Sequence, residues 1–251
     1  MPPLTSDALV LRSYKLGETS KLVVLLTRER GKVRAVAKGA RSPRSRYQSA
    51  LEPLSEVRVG LYGRQGAEVF RVGQCELLHS AFPASRRGVE VALSLSYFAE
   101  LLDAFAQEGE AEDTVYRLAT SVLRAAEGAV STILLTRYLE AWLLKLHGIY
   151  PPLDRCAGCA RGLPADGALC YHGRAHGFVC SSCGPASGPV LPAPAHAFLR
   201  SVFRQPPTAL GEPGSGLDDL EDFHRDLITR HLERDLRSFR VLRDVARGAR
   251  G

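Results

Sequence analysis

The chain has 251 residues, of which 45% are hydrophobic and 24% charged, proportions typical of a globular protein and not of a disordered one. Its length suffices for one large domain or for two ordinary domains. The net charge is +6, and all of the excess lies in residues 1–80, which hold 14 Lys and Arg against 7 Asp and Glu. Residues 81–251 hold 19 against 20. A basic segment concentrated in this way is the electrostatic footprint of a protein that binds a polyanion.

The sequence indicates neither a membrane protein nor a secreted one. No apolar run approaches the roughly 18 residues of a membrane-spanning helix. Residues 1–13 lack the charged and apolar regions of a secretory signal. We therefore expect a cytoplasmic protein without a membrane partner. In that reducing compartment, the six cysteines are expected to be thiols or metal ligands and not disulfides.

Five short segments near the N-terminus have the apolar pattern of β-strands, and turn residues separate them. They are residues 8–14, 21–27, 32–37, 56–62 and 68–78. Five strands without a helix between them predict a small closed or nearly closed β-barrel. An OB-fold is the leading prediction and an SH3-like barrel is the alternative, because periodicity alone does not separate the two.

Residues 31–47 combine one of these strands with a basic loop, and they are the candidate segment for binding a polyanion. Alternation along the strand predicts a half-buried strand with a basic outer face. The candidate binding residues for this polyanion are Lys32, Arg34, Lys38, Arg41, Arg44, Arg46 and Tyr47. Stacking of bases on aromatic side chains is expected on single-strand-binding barrels, and the candidates here are Tyr14, Tyr47, Tyr62 and Phe70. A solvated charged hairpin with no ligand is the alternative interpretation.

At Pro83 the hydrophobic period changes from 2 to 3.6 residues, which predicts helices. Three are expected over about 83–109, 113–126 and 131–147, and their aromatic residues are interpreted as core. A short helix is predicted at 194–203, followed by a loop rich in Pro and Gly at 205–216. One long helix is then predicted at 217–245, acidic in its first turns and basic in its last, which suits the helix dipole.

Between these helices, four cysteines have the spacing C-x2-C-x20-C-x2-C, at Cys156, Cys159, Cys180 and Cys183. Two tight turns with two thiolates each predict a zinc ribbon, in which one Zn²⁺ with four protein ligands has a structural role. One alternative pairs Cys156 and Cys159 with His172 and His176. It requires both histidines on one helix, which the neighbouring glycines disfavour, and it leaves the other two cysteines without a role.

A ribbon without metal, held by its small apolar core, is a second alternative. Cys75 and Cys170 are interpreted as packed thiols.

No phosphate-binding loop, nucleophile elbow or H-E-x-x-H motif occurs in the sequence. The acidic pair Asp218-Asp219 lies where a helix is expected to begin. The sequence therefore predicts a protein that is not an enzyme.

Several motifs resemble those of the RecO family of bacterial recombination mediators. The first is Tyr-Lys-Leu-Gly-Glu-Thr-Ser-Lys at residues 14–21, and the second is Ala-Lys-Gly-Ala-Arg at 37–41. Gly-Ile-Tyr-Pro-Pro-Leu-Asp-Arg-Cys-Ala-Gly-Cys at 148–159 and Gly-Phe-Val-Cys-Ser-Ser-Cys-Gly at 177–184 continue the resemblance. It extends over nearly the whole chain in the same order of parts. His172 and His176 are not part of the family pattern.

The resemblance implies an α+β multidomain protein, with an OB-fold over residues 1–80 and an α-helical domain over 81–251 that carries the ribbon at about 150–190. It implies binding of ssDNA and dsDNA without sequence preference and annealing of complementary strands in DNA recombination and repair. It also implies a nucleoid-associated protein that cooperates with RecR to load RecA onto ssDNA coated by single-strand-binding protein (SSB). The acidic SSB C-terminal tail is expected on the helical domain.

Two other functions are considered. The alternative is an interaction scaffold whose barrel binds an acidic protein partner and which contacts DNA only indirectly. A nuclease is disfavoured, because no carboxylate cluster or open metal site is visible in the sequence.

Overall fold

A computed structural model describes residues 4–47, 49–64, 66–184, 189–211 and 215–248. By their internal contacts the chain divides into two compact units. Unit 1 is Met1–Ala129 together with Leu236–Gly251, and unit 2 is Val130–Asp235. The division at residue 80 expected from the sequence concerns a change of fold type and stays a prediction. None of the described helices is both long enough and apolar enough to cross a membrane.

The elements follow one another in the order expected from the sequence, strands first and helices after them. The strands of the first sheet are β1 (Leu4–Leu16), β2 (Ser20–Thr27), β3 (Gly31–Ala37), β4 (Ser55–Tyr62) and β5 (Val69–Ser80). The helices are α1 (Phe82–Ser85), α2 (Val89–Phe105), α3 (Asp113–Glu127), α4 (Thr132–Leu146), α5 (Ala193–Val202), α6 (Leu217–Leu232) and α7 (Arg237–Gly248). Three short strands lie between α4 and α5, namely β6 (Leu169–His172), β7 (Gly177–Val179) and β8 (Val190–Leu191).

The first five strands close a barrel in unit 1. Their spatial order is β1-β2-β3-β5-β4, and β4 pairs with β1 to complete the circle. All neighbours are antiparallel except β3 and β5, which are parallel. This closed five-stranded arrangement is that of an OB-fold, so the leading prediction is confirmed over the SH3-like alternative.

Burial along β3 alternates as the sequence predicts. Val33, Ala35 and Ala37 are buried in the barrel core, whereas Lys32 is partly exposed and Arg34 is exposed. The connection from β3 to β4 also contributes to this core, through Tyr47, Ala50 and Leu51. The basic loop therefore folds back onto the barrel, because its own side chains are part of the packed interior.

Helices α2 and α3 of unit 1 lie against β1. Leu9 and Leu26, which pair across β1 and β2 on the outer face, are both 0% exposed because this part of the barrel is covered. A buried polar contact reinforces the packing: the hydroxyl of Tyr116 on α3 donates to Glu56 Oε1 on β4 at 2.8 Å. Burial first, and then the neighbouring Glu56 carboxylate, raise the pKa of Tyr116, so this hydroxyl keeps its proton.

Unit 2 contains α4, α5, α6 and a three-stranded sheet of order β7-β6-β8. A buried polar network lies between α4 and α6. Arg137 Nη1 donates to Glu140 Oε2 at 2.7 Å, and Nη2 donates to Glu221 Oε2 at 2.8 Å. The same Glu140 oxygen lies 3.0 Å from His224 Nδ1, and His224 Nε2 lies 3.1 Å from the hydroxyl of Tyr150.

The long helix predicted over residues 217–245 is wrong, because the structure divides it into α6 and α7. Glu233 ends α6 with a φ of 54°, in the left-handed region where a helix cannot continue. The two helices belong to different units, since the division falls between Asp235 and Leu236. The first predicted helix is likewise divided into α1 and α2, at Gly88.

Candidate nucleic-acid interface and metal centre

Two of the predicted DNA-binding cations are engaged in contacts inside unit 1. Lys32 Nζ donates to the backbone oxygen of Asp103 at 2.7 Å and lies 3.8 Å from its carboxylate. Arg34 forms an ion pair with Glu108 at 3.2 Å, and both of these side chains are more than half exposed. The start of β3 is therefore covered by the end of α2 and the chain that follows it.

Gly31 explains why the chain can approach β3 so closely. Its φ is +59°, and a Cβ at this position would lie 2.3 Å from the backbone oxygen of Glu110 and 2.5 Å from that of Gln107. The amide of Lys32 donates to the Gln107 oxygen at 2.7 Å. Only glycine fits this place, because the conformation is left-handed and the space for a side chain is filled by backbone.

Arg41 ties the basic loop to the turn between β1 and β2. Its Nη1 donates to the backbone oxygens of Gly17 and Glu18 at 2.7 and 2.8 Å, and its own amide donates to the Thr19 oxygen at 2.8 Å. Both side-chain bonds use a single nitrogen of an exposed guanidinium. The remaining nitrogens have no partner within the described part of the chain, so Arg41 can support the loop and still meet a phosphate.

Arg46 and Tyr47 form a second anchored pair. The guanidinium carbon of Arg46 lies 5.0 Å from the centroid of the Tyr47 ring, and Nη2 donates to the Tyr47 hydroxyl at 2.9 Å. Tyr47 is only 2% exposed, and its hydroxyl donates to the Val72 oxygen at 3.1 Å. The Tyr47 ring cannot stack on a base from this position. It can orient Arg46, which is exposed at the surface.

The other two predicted cations, Lys38 and Arg44, are exposed and make no ion pair or hydrogen bond with other described residues. Among the aromatic candidates, Phe70 is 9% exposed and belongs to the core, whereas Tyr14 and Tyr62 are 49% and 45% exposed. The cations open to a ligand are thus concentrated in the loop and at the end of β3 next to it.

The four cysteines of the predicted ribbon meet in unit 2. The sulfur atoms of Cys156, Cys159, Cys180 and Cys183 all lie within 4.8 Å of one another, and those of Cys159 and Cys180 are 3.7 Å apart. Four thiolates around one Zn²⁺ at about 2.3 Å would be about 3.8 Å apart. The donor set and its spacing therefore fit a four-coordinate zinc site.

The backbone holds the first cysteine turn against the second. The amide of Ala157 donates to the Phe178 oxygen of β7 at 2.8 Å, which brings Cys156 beside Cys180. The amides of Cys180 and Gly158 donate to Cys156 Sγ at 3.3 and 3.4 Å. These bonds, above all the one from Cys180, lower the pKa of the Cys156 thiol to about 6. A thiolate at this sulfur is the form that binds a metal.

Cys183 belongs to this cluster, whereas His172, His176 and Cys75 lie outside it. The neighbouring cysteines, Cys159 first, raise the pKa of Cys183 to about 12, because thiols this close compete for ionisation in the absence of a cation. His172 Nδ1 instead accepts the amide of Ala175, and neither His172 nor His176 belongs to the metal-ligating group found among the described residues. Cys75 is partly buried, and burial raises its pKa to about 11, as for a packed thiol.

Unit 2 also has a cavity of about 530 Å³ that the sequence did not reveal. Its apolar wall includes Tyr150, Leu153 and Phe203, and Lys145, Arg200 and Arg204 lie around it together with Asp154. Lys145 Nζ lies 4.0 Å from the centroid of the Phe203 ring. In the sequence, the Pro151-Pro152 pair indicated only a helix stop. That these prolines line a cavity depends on the packing of α5, which periodicity does not show.

Comparison with known proteins identifies the family. The family model described as "Recombination protein O N terminal" matches residues 1–81, and "Recombination protein O C terminal" matches residues 89–240. The chain belongs to the RecO family. DNA repair protein RecO of Koribacter versatilis is 34% identical, with 92% of this chain and 94% of the relative covered. That of Desulforudis audaxviator is 34% identical over 98% of both chains, and that of Pelotomaculum thermopropionicum is 33% identical over 94% and 92%.

Membership of the RecO family confirms the resemblance drawn from residues 14–21, 37–41, 148–159 and 177–184. The N-terminal match covers the barrel, and the C-terminal match covers helices α2 to α6 and the segment with the four clustered cysteines. The chain is accordingly a DNA repair protein of this family.

Proposed function

We propose that this RecO protein binds ssDNA and dsDNA without sequence preference, chiefly through the basic loop that follows β3. The observation that supports this most directly is the arrangement of Arg41, Arg44 and Arg46, three exposed guanidinium groups on a loop fixed to the barrel at both ends of the basic segment. Such a surface binds phosphates by displacing condensed counterions and does not read base edges.

The proposal assigns different roles to the seven candidate residues. Lys38, Arg41, Arg44 and Arg46 contact phosphates. Lys32 and Arg34 hold the covered end of β3 to Asp103 and Glu108, and Tyr47 orients Arg46 from inside the barrel. By neutralising charge on two strands at once, the loop would reduce their mutual repulsion, which is how a protein without catalytic groups can anneal complementary strands.

The test measures affinity as a function of salt for a labelled single strand and a labelled duplex. Replacing Arg41, Arg44 and Arg46 with Ala should weaken binding to both, and should lower the slope of log affinity against log salt by about 2 for single strands. The matched control replaces Arg225, Arg230 and Arg234, which removes the same charge from α6 and the residues just after it, and should leave the slope unchanged. An unchanged slope in the loop variant would contradict the proposal and favour a barrel that binds an acidic protein.

A structural Zn²⁺ in the four-cysteine centre is part of the same proposal. Cys156, Cys159, Cys180 and Cys183 would hold it, with no position left for a substrate. The ion would join the two cysteine turns across the ribbon. Its contribution is to the folding of this part of unit 2, since metal binding and folding are coupled in small sites.

Family membership supports the proposed partners, and the cavity of unit 2 supplies a candidate place for one of them. Its apolar wall at Tyr150 and Phe203, with Lys145, Arg200 and Arg204 nearby, suits the acidic SSB C-terminal tail with its apolar end. A labelled tail peptide should bind the protein and lose affinity in a Lys145→Glu variant, but not in a Lys15→Glu variant on the barrel.

The remaining roles are cooperation with RecR, loading of RecA onto SSB-coated ssDNA, and association with the nucleoid in the cytoplasm. They are proposed on family membership, and no described residue is assigned to them.

A further inference from the structure

Five outward-facing residues form a continuous row across all five strands of the barrel. In the strand register Tyr14 is opposite Leu22, Leu22 is opposite Val36, Val36 is opposite Arg71, and Arg71 is opposite Tyr62. Residues directly opposite one another in paired strands project from the same face of the sheet. Their neighbours along the strands, Val23, Ala35, Phe70 and Leu61, face the core. We call this row the tyrosine row: Tyr14, Leu22, Val36, Arg71 and Tyr62.

The tyrosine row is exposed, and most strongly at its two ends. Tyr14 is 49% and Tyr62 is 45% exposed, Arg71 is exposed, and Leu22 and Val36 are partly exposed. Tyr62 packs on Gly73 of β5, where a Cβ would lie 2.2 Å from a ring carbon. The absence of a side chain at Gly73 lets the ring lie against the strand, which fixes the ring while much of it stays open to solvent.

The neighbouring part of this outer face on β1 and β3 is already occupied. Asp103 pairs with Arg12 and Lys32, and Glu108 pairs with Arg34, so the end of α2 and the following chain cover the sheet up to these residues. The tyrosine row lies on the uncovered side. Its Tyr14 end reaches the turn at Gly17, where Arg41 attaches the basic loop.

Charge indicates the kind of ligand that this row accepts. The residues two positions before and after each member of the row are Arg12 and Leu16, Ser20 and Val24, Arg34 and Lys38, Gly60 and Arg64, and Val69 and Gly73. Four of these ten are cationic and none is acidic, but Arg12 and Arg34 pair with Asp103 and Glu108, which leaves Lys38 and Arg64 as the exposed cations beside the row. A row with two exposed tyrosines, two aliphatic residues and Arg71, with exposed cations beside it, is complementary to a polyanion with flat apolar faces.

We propose that the tyrosine row is a base-stacking platform for single-stranded nucleic acid, with Tyr14 and Tyr62 as its stacking residues. This rests on the proposed function and deepens it, because it assigns a second mode of binding to the same barrel. The basic loop holds phosphates of any strand. The tyrosine row binds only bases whose faces are open, which a single strand offers and an intact duplex does not.

In this arrangement the basic loop provides affinity for any nucleic-acid strand, and the tyrosine row provides the preference for single strands. Arg71 is placed between the two ring positions, where it can meet the phosphates between stacked bases or stack on a base itself. With neighbouring strands about 4.8 Å apart, Tyr14 and Tyr62 are separated by four strand spacings, or about 19 Å around the barrel. A row of this length accommodates several bases along an extended strand.

The experiment uses the full chain and three labelled probes of equal length: a single strand with bases, a single strand of abasic residues, and a duplex. The double variant Tyr14→Leu, Tyr62→Leu should lose about tenfold in affinity per tyrosine for the single strand with bases. Its affinity for the abasic strand and the duplex should stay the same, and retained binding of these two probes shows that the variant is folded. The matched control Tyr14→Phe, Tyr62→Phe keeps the rings and should bind all three probes as the unchanged protein does.

Two results would overturn the platform while leaving the proposed function intact: an equal loss on all three probes, or no loss on any of them. The second result would point to a protein as the ligand of the tyrosine row. If the unchanged protein bound none of the probes, the proposed function itself would fail, and the platform would fail with it.

Discussion

The ammonium of Lys32 on β3 lies 2.7 Å from the backbone oxygen of Asp103 at the end of α2, so a lysine in the predicted DNA-binding segment holds the barrel to a helix of its own unit. Its side chain is only 18% exposed. Lys38, the residue that directly follows β3, is exposed and forms no ion pair or hydrogen bond with other described residues. Two lysines that look equivalent in the sequence therefore have different environments.

This difference predicts opposite effects of the same substitution. Lys32→Met should lower the free energy of unfolding by about 1–2 kcal/mol, because it removes a charge-assisted hydrogen bond and leaves the Asp103 oxygen without that partner. Lys38→Met should leave stability unchanged and lower the salt slope for ssDNA by about 0.7. Urea unfolding followed by circular dichroism measures the stability of each variant, and salt titrations of ssDNA binding measure its slope. A stability loss in the Lys38 variant with a slope change in the Lys32 variant would contradict the roles given to the two lysines.

The cysteine centre predicts about one Zn²⁺ per chain in purified protein. Metal analysis should find the ion lost in the double variant Cys156→Ser, Cys180→Ser. The matched control Cys170→Ser changes a cysteine that lies outside the cluster, and the double variant His172→Ala, His176→Ala tests the alternative ligand set. Both should keep the metal. A full zinc complement in the first variant would show that the ion is held elsewhere.

The carboxylate of Glu100 on α2 binds the first amides of α7, and this contact predicts that the stability of the protein depends on pH. Glu100 accepts hydrogen bonds from the amides of Arg237 and Ser238, at 3.2 and 2.7 Å, and from the Ser238 hydroxyl. Burial acts to raise the pKa of Glu100, but these bonds, those from Ser238 first, outweigh it and hold the pKa below its usual value. A carboxyl with a lowered pKa in the folded protein stabilises it above the unfolded pKa of about 4.3, and this contribution is lost as the pH falls towards the folded value.

The variant Glu100→Gln measures that contribution. At pH 7 it should be less stable than the unchanged protein by about 1 kcal/mol, because a carboxylate at a helix N-terminus interacts favourably with the helix dipole. The difference should shrink as the pH falls below about 4, where the unchanged protein also loses the charge. If the difference in stability between the two proteins stayed constant from neutral to acid pH, the charge of Glu100 would not contribute to stability.

The buried network around Arg137 predicts that the stability of unit 2 depends strongly on Glu140, which contacts both Arg137 and His224. Arg137 and Glu140 are 2% and 1% exposed. Glu140→Leu should lower the free energy of unfolding by about 3–5 kcal/mol, because the buried guanidinium loses a partner. The double variant Arg137→Met, Glu140→Leu should be more stable than this single variant. Trp142, the only tryptophan, lies on α4 beside this network, and its fluorescence reports the unfolding of unit 2.

The sequence predicts the barrel and the clustering of the four cysteines well because both depend on local spacing. Alternation along β3 and the two C-x2-C turns are short-range patterns, and each fixes where its side chains point. The end of α6 is different. Residues 231–236 contain neither Gly nor Pro, so nothing local marks the left-handed Glu233 or the new helix that begins at Arg237.

Long-range pairing sets the other limit on prediction from sequence. The parallel contact between β3 and β5 places Arg71 beside Val36, although 34 residues separate them in the chain. The tyrosine row follows from this register and cannot be found from any one strand. Tyr47 shows the same limit, because a residue in a loop has no periodicity that tells whether its ring is inside the barrel.

The division of the chain into two units has a consequence for synthesis on the ribosome. Unit 2 is an insertion within unit 1, because α7 packs on α2 after more than 100 intervening residues have been made. The barrel can close as soon as β5 emerges, but Glu100 remains without the amides of α7 until unit 2 has left the exit tunnel. The amide donors of Arg237 and Ser238 thus reach Glu100 only after all of unit 2 has been synthesised, and α2 lacks its partner helix until then.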